Sequence, residues 1–283
     1  MSKDLLWRVN EGSKINLRDY DPDYTAGYKH DHEVKDDLEK LGTELSELQE
    51  IFAAAQHHSL LILLQGMDTS GKDGTIRHVL SGVNPQGCDV HSFKQPTAEE
   101  MAHDFLWRIH KVTPGKGTMS IFNRSQYEDV LVVRVHDLVP EEIWKKRYKE
   151  INHFEKLLAN SNTIILKFFL HISKDEQAQR LEARVDDRDK AWKISTGDWQ
   201  ERRYWDDYQT AYEAALSECS TDEVPWYIVP SNHKWYRNLA IAHTLVHTMR
   251  KYRDEWQADL EARGRQELEA LQKMRTQQQA NDH

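Results

Sequence analysis

Disulfide chemistry has little to work with in this chain. Only two cysteines occur, Cys88 and Cys219. They form neither a disulfide framework nor a metal-ligand spacing, so a reducing, cytoplasmic setting is expected. Long apolar runs are missing too. The longest, Ile164 to Ile172, is interrupted by Lys167 and His171 and is far too short to span a membrane. The opening MSKDLLWRVNEG has no apolar h-region, so no secretory signal is expected. A basic excess is absent as well: 38 Lys and Arg face 47 Asp and Glu, a formal net charge of -9. That balance argues against a nucleic-acid partner, and a polyanion would need a groove where the basic residues gather. No internal repeat is visible. What remains is 283 residues, 39% hydrophobic, enough for one sizeable α/β core with helical additions.

The pattern along the chain alternates. Residues 1 to about 32 read as an irregular arm of polar and aromatic residues. Val34, Leu38, Leu41, Leu45, Leu48, Ile51 and Phe52 then recur at helical spacing over 32–57. Leu60–Leu64 is a short continuous apolar run before Gly66, the signature of a buried parallel strand. Strands are predicted at 89–93, 118–122, 163–172 and 226–229. Helices are predicted at 73–80, 98–110 with Thr97 as N-cap, 141–160, 175–185, 198–219 and 235–271 with an interruption near Gly264. Strands separated by helices imply a doubly wound parallel sheet of five strands. Ligands on such sheets bind beyond the carboxyl ends of the strands. The expected division is an N-terminal arm and helix (1–57), an α/β core domain (58–262, including a segment near 174–200 that could cover the strand ends) and a helical or flexible tail (263–283).

The first core strand runs into Gln65-Gly66-Met67-Asp68-Thr69-Ser70-Gly71-Lys72-Asp73-Gly74-Thr75 and then into a helix. This is a complete G-x-x-x-x-G-K phosphate loop. Glycines let successive N–H groups point at phosphate oxygens, the helix N-terminus adds partial positive charge, and Lys72 adds a full one. Gly66, Met67, Thr69, Ser70, Gly71, Lys72, Asp73, Gly74 and Thr75 are the expected phosphate contacts. Two residues depart from the common motif. Asp73 stands where Ser or Thr usually follows the lysine, and Asp68 lies inside the loop. A carboxylate there repels phosphate unless a cation intervenes, which points to Asp68 as a metal ligand. A glycine-containing turn before a helix is the plain alternative.

The strand at 118–122 ends in Asn123-Arg124-Ser125-Gln126-Tyr127-Glu128-Asp129. A neighbouring strand end typically offers an acid to the metal, so Asn123, Glu128 and Asp129 are candidates. Arg124 suits a bidentate phosphoryl clamp. The acids would equally serve as a solvated first helical turn. Farther on, Arg180, Arg184 and Arg188 fall at i, i+4 and i+8, followed by Lys190 and Lys193. Such a cationic stripe can close over phosphates and exclude water. The interleaved Glu182, Asp186 and Asp187 would also fit a salt-bridged surface helix. The fifteen histidines are scattered, and His57-His58 and His30–His32 show no partner set for a metal. No His–acid pair stands near the motifs, and an acceptor phosphate, already ionised, needs no strong base. Most tryptophans read as core residues.

Together these segments resemble the polyphosphate kinase 2 family. GMDTSGKDGTIRHVLSGVNPQG is similar to its variant phosphate loop and IFNRSQYEDVLVVRVH to its second motif. RLEARVDDRDKAWKIS with WQERRYWDDY is similar to its lid, and VPWYIVPSNHKWYRN to its last strand and helix. The resemblance covers roughly residues 30 to 260. It implies a thymidylate-kinase-like P-loop fold with a helical lid, and Mg2+ (or Mn2+) dependence. It also implies assembly into homodimers or homotetramers. The implied activity is reversible phosphoryl transfer between inorganic polyphosphate and AMP or ADP, with GMP and GDP left open. By the resemblance, Asp68, Lys72 and Arg124 carry over as catalytic, joined by Arg184 and Arg188 in the lid. Arg180 and Lys193 carry over as phosphate contacts. Asn123 stands where much of the family has aspartate, and NRSQYED is closer to the sub-class acting on both AMP and ADP. An ATP-dependent nucleoside monophosphate kinase and a non-catalytic nucleotide-binding protein are the rival readings.

Overall fold

The computed structural model describes residues 4–186 and 196–281. Its strands are β1 (Trp7–Arg8), β2 (Ser59–Gln65), β3 (Cys88–Ser92), β4 (Met119–Asn123), β5 (Thr163–His171) and β6 (Trp226–Pro230). They form one sheet in the order β1-β6-β5-β2-β4-β3. The pairs among β2 to β6 are parallel, and β1 runs antiparallel to β6 with Trp7 opposite Ile228. The five expected parallel strands are therefore joined by a sixth from the arm. Its register is fixed by aromatic packing: the Trp7 ring meets Tyr20 at 5.4 Å and Tyr24 at 5.1 Å.

The helices are α1 (Lys35–Ala55), α2 (Lys72–Val79), α3 (Ala98–Met101), α4 (Trp107–His110), α5 (Val132–Val135), α6 (Glu141–Asn160), α7 (Lys174–Asp186), α8 (Thr196–Glu201), α9 (Trp205–Glu218), α10 (Lys234–Arg250) and α11 (Arg253–Asn281). Every residue of β2 and β5 is buried, as a strand covered on both faces requires. Side chains along them alternate between two cores. Leu61, Leu63, Ile165 and Phe169 share one with Ile151 and Phe154 of α6 and Tyr212 of α9. Leu60, Ile62, Leu64 and Phe168 share the other with Leu48 and Phe52 of α1 and Leu245 and Met249 of α10. Each such side chain contributes about 1.5–3 kcal/mol by leaving water.

Strand β2 lies between β4 and β5, so the chain crosses over it between those two strands. That crossing puts a topological switch at the carboxyl end of β2, directly before the phosphate loop.

Three predicted helices differ in detail; the span 198–219 is split into α8 and α9 by a 3-10 turn at Arg202–Tyr204. The span 98–110 is split into α3 and α4. Thr97 caps α3 as expected, accepting from the Glu100 N–H. The Asp104 carboxylate accepts from the Leu106 N–H at 3.0 Å and starts a local turn instead of continuing the helix. The interruption expected near Gly264 falls instead at Lys251-Tyr252. There the Tyr252 ring packs against His58 at 4.6 Å and Trp256 at 5.8 Å, turning the chain. Gly264 lies inside α11.

Candidate active site

The phosphate loop follows β2 directly, and its shape depends on two glycines. Gly66 has φ +148, and a Cβ there would lie 2.7 Å from the Leu170 carbonyl oxygen of β5. Gly71 has φ +104, and a Cβ there would lie 1.8 Å from the Arg237 guanidinium. Thr69 also adopts a positive φ, 66°, a strained conformation characteristic of functional loops. Lys72 opens α2 and is buried, its ammonium donating to the carbonyls of Gly66 at 2.7 Å and Met67 at 3.2 Å. Burial lowers its pKa, opposed by the nearby Asp68, Glu128 and Asp73 carboxylates. The side-chain hydroxyls of Thr69, Ser70 and Thr75 are buried without a hydrogen-bond partner. Three hydroxyls without a partner around one loop leave donors available to an oxygen-rich ligand.

The second motif closes the other side. Gln65, the last residue of β2, donates to the Ser125 hydroxyl at 3.0 Å and ties the two motifs together. Arg124 turns with φ 64. Its guanidinium reaches across to the Asp68 carboxylate at 2.8 Å and to Glu128 at 3.6 Å. Burial raises the Glu128 pKa, opposed by Arg124 and Lys72. Asn123 donates to the Asp73 carboxylate at 2.6 Å. Asp68, Asp73, Asn123, Arg124, Glu128 and Lys72 thus form one cluster.

Asp129 is engaged elsewhere. Its carboxylate is gripped by Arg147 at 3.0 Å and Arg108 at 3.6 Å. The turn after β4 sends successive side chains in different directions, so Glu128 joins the loop cluster and Asp129 does not. Its Oδ1 faces Arg147 and its Oδ2 faces Arg108, so the carboxylate is turned toward these two guanidiniums and away from the loop cluster.

Of the lid arginines, Arg184 pairs with Asp198 at 2.8 Å. Arg180 spends all five N–H groups on the protein. They go to the Glu176 carboxylate, to the Thr69 and Ser70 carbonyls of the phosphate loop, and to the Ser231 and Asn232 carbonyls before α10. Arg180 therefore braces the loop rather than offering free donors to a ligand. Arg188 and Lys193 lie outside the described residues.

Two recesses meet at this cluster. One is a polar cleft of about 1020 Å3. Its walls bring together Lys72, Lys94, Arg124, Arg180, Arg184, Lys234 and Arg237 against the acids Asp68, Asp73, Glu176 and Asp198. An acidic chain thus gathers its cations in one groove. The other recess, about 440 Å3, has apolar and aromatic walls that include Phe93, Val132, Val133, Tyr208 and Tyr212. Asp68 and Arg124 line both.

Sequence reading missed several groups. Arg237, from the stretch PSNHKWYRN, packs beneath the loop and donates to the Ser70 carbonyl at 3.2 Å. Gln177 donates to the Asp68 carbonyl at 3.1 Å. A His–acid pair does stand beside the motifs: His136 meets Glu201 at 3.0 Å, and Glu201 accepts from the Tyr208 hydroxyl at 2.8 Å. The partners are 65 positions apart, which no local pattern announces. His57 and His58 gather with Glu255, but at the amino end of β2, away from the phosphate loop. The His58 Nδ1 lone pair is taken there by the Trp256 indole N–H at 3.0 Å.

Comparison with known proteins gives a consistent result. The family model described as polyphosphate kinase 2 matches residues 28–257. An AMP/ADP-polyphosphate phosphotransferase of Meiothermus ruber is 51% identical over 244 residues, covering 86% of this chain and 91% of that protein. An ADP-polyphosphate phosphotransferase of Rhodopseudomonas palustris is 43% identical over 288 residues, covering 96% and 98%. The crystal structure of polyphosphate kinase 2 from Arthrobacter aurescens superposes with a TM-score of 0.82 at 45% identity, covering 85% of this chain and 87% of that one.

Proposed function

The chain belongs to the polyphosphate kinase 2 family, and we propose that its two recesses hold the two substrates of phosphoryl transfer between inorganic polyphosphate and AMP or ADP. The observation that carries this assignment is the junction at Asp68 and Arg124. Polyphosphate has no apolar surface and suits the cationic cleft. A nucleoside has an aromatic base and suits the recess walled by Phe93, Val132, Tyr208 and Tyr212. A phosphoryl group shared between them lies where the recesses join.

The residues divide the work by chemistry. Loop N–H groups and the hydroxyls of Thr69, Ser70 and Thr75 cradle the donor phosphates. Lys72, today bonded to its own loop's carbonyls, turns its ammonium to the phosphate that displaces them. Arg124 faces the transferring group from the second motif and, with Arg184, neutralises charge that spreads over the equatorial oxygens. The acceptor oxygen is anionic near neutral pH, so the mechanism uses no base, and His136–Glu201 is left to line the nucleoside recess.

A divalent cation fits the donor set. Asp68, Asp73 and Glu128 offer carboxylate oxygens and Asn123 an amide oxygen, all hard ligands of the kind Mg2+ prefers. Asp68 and Glu128 are the proposed holders. Held there, the ion would supply Lewis-acid charge that offsets the phosphate oxygens. The assignments of Mg2+ over Mn2+, of a cytoplasmic setting and of a homodimer or homotetramer rest on the family resemblance.

The test is a donor assay. Purified protein is incubated with long-chain polyphosphate, Mg2+ and, in turn, AMP, ADP, GMP and GDP, with no other donor. The expected products are ADP and ATP. Turnover with ATP and AMP but not with polyphosphate would establish the conventional monophosphate kinase reading instead.

A further inference from the structure

A buried cation stands beneath the phosphate loop with no ion-paired carboxylate among the described residues. Arg237, on the first turn of α10, is only 2% exposed. Its Nη1 donates to the Ser70 carbonyl at 3.2 Å. Its other edge, Nε and Nη2, donates to the side-chain oxygen of Asn238 at 3.2 and 2.9 Å. The guanidinium lies close against Gly71 of the loop and Gly74 of α2. A Cβ on Gly71 would meet Nη1 at 1.8 Å, and one on Gly74 would meet Nη2 at 3.3 Å. The loop therefore excludes side chains there to admit this group. Its charge faces burial and the neighbouring Arg180, which together push its pKa down to about 9, and no described carboxylate opposes them.

An uncompensated buried charge is unfavourable, and a bound anion that supplies the counter-charge removes part of that cost. Arg237 lines the cationic cleft together with Lys72. Its bond to the Ser70 carbonyl also has a steric consequence. A peptide unit is planar, so holding that carbonyl back turns the Gly71 N–H the opposite way. Arg180 grips the same carbonyl, also at 3.2 Å, from the lid side.

We propose that Arg237 is a positioning residue for polyphosphate: it fixes the Ser70–Gly71 peptide for phosphate binding, and the polyanion in the cleft supplies counter-charge that no described carboxylate gives it. This inference rests on the polyphosphate reading of the cleft. Nucleotide binding in the apolar-walled recess, which Arg237 does not line, is expected to be nearly independent of it.

The test compares the parent protein with Arg237→Met and Arg237→Lys. Thermal midpoints are read with and without long-chain polyphosphate, and kcat and KM are measured separately for polyphosphate and ADP. Far-UV circular dichroism checks the fold. For Arg237→Met the expected result is loss of most of the polyphosphate-induced rise in midpoint. Its kcat/KM for polyphosphate should fall roughly 100-fold, with the KM for ADP changed less than about threefold, and added guanidinium ion should restore part of the activity. Arg237→Lys keeps the charge but not the fork, so it should keep the polyphosphate-induced rise and lose kcat. Should Arg237→Met fail to fold, the lysine variant decides. Unchanged kcat and KM in that variant, or an undiminished polyphosphate-induced rise in a folded Arg237→Met, would overturn the proposal. Parent activity with polyphosphate as sole donor is measured in the same plate. Its absence would sink the broader functional reading, whereas its presence with an indifferent Arg237 would sink only this one.

Discussion

Replacing Lys167 by methionine should break the most deeply buried ion pair of the molecule's described residues. Lys167 is 0% exposed and Glu155 2%. The ammonium donates to the Glu155 carboxylate at 2.6 Å, to the Cys219 carbonyl at 2.6 Å and to the Tyr127 hydroxyl at 3.1 Å. The carboxylate also accepts from Gln126 at 2.9 Å and from the Tyr127 hydroxyl at 2.7 Å. Lys167→Met fills the same space, but strands a carboxylate in the core with two neutral donors and no counter-charge. Removing one partner of such a pair typically destabilises by about 3–5 kcal/mol. At roughly 2–4 °C per kcal/mol for a chain of this size, the melting midpoint should fall by about 6–20 °C. Lys167→Met/Glu155→Gln should recover a good part of that loss, because the amide is neutral and still accepts from Tyr127. Urea unfolding followed by tryptophan fluorescence gives all four corners of the cycle. A Lys167→Met loss under about 1 kcal/mol, or strict additivity in the double variant, would refute the reasoning. Activity supplies a second readout, since Gln126 and Tyr127 immediately precede Glu128 and a loosened network should misplace it.

Three further outcomes are expected. Asp68→Asn and Lys72→Ala should each lower kcat by about 100-fold or more while circular dichroism stays that of the parent; near-normal turnover in either would remove it from the site. Arg184→Ala should raise the KM for polyphosphate about tenfold, one such contact being worth roughly 1.4 kcal/mol, and leave the KM for ADP nearly unchanged; equal effects on both would take the lid helix out of polyphosphate binding. Acid should unfold the protein partly through His171. Burial pushes its pKa from 6.5 down to about 4, opposed by hydrogen bonds to the Tyr20 and Leu17 carbonyls. Between those two values the unfolded chain binds the proton and the folded chain does not, so stability is full above about pH 6.5 and falls as the pH drops toward 4. The loss from this group is of the order of 3 kcal/mol. His171→Gln should flatten that part of the stability–pH curve, and an unchanged slope would exclude the group.

Patterns of short range were readable in the chain. The apolar run at 60–64, the glycines at 66 and 71, and the helical spacing over 141–160 each express local physics, and each predicted element formed. The chemistry of Asp68, Lys72 and Arg124 was legible for the same reason: their spacing relative to a strand end is fixed within a few residues. What escaped depended on partners far away. Glu128 and Asp129 look alike in sequence, and only the positions of Arg147 and Arg108 send one into the cluster and the other out. Arg180 reads as a phosphate ligand on a cationic stripe, yet the carbonyls that absorb it come from two other loops. His136 and Glu201 meet only because α8 folds over the recess. Trp7 and Arg8 carry too short a signal to announce a strand, and β6 is what makes them one.

That last pairing bears on synthesis. Leu5, Val9 and Pro22 are stitched to positions that emerge from the ribosome more than two hundred residues later. Val9 accepts from Ser220, Pro22 from Asn232, and Leu5 from the Tyr236 hydroxyl. These contacts therefore wait until positions 220–236 have been made. Until β6 has been made its edge cannot be covered by β1, so nascent chains stalled before residue 236 should stay open to proteases, whereas the released protein closes that edge with Trp7 and Arg8.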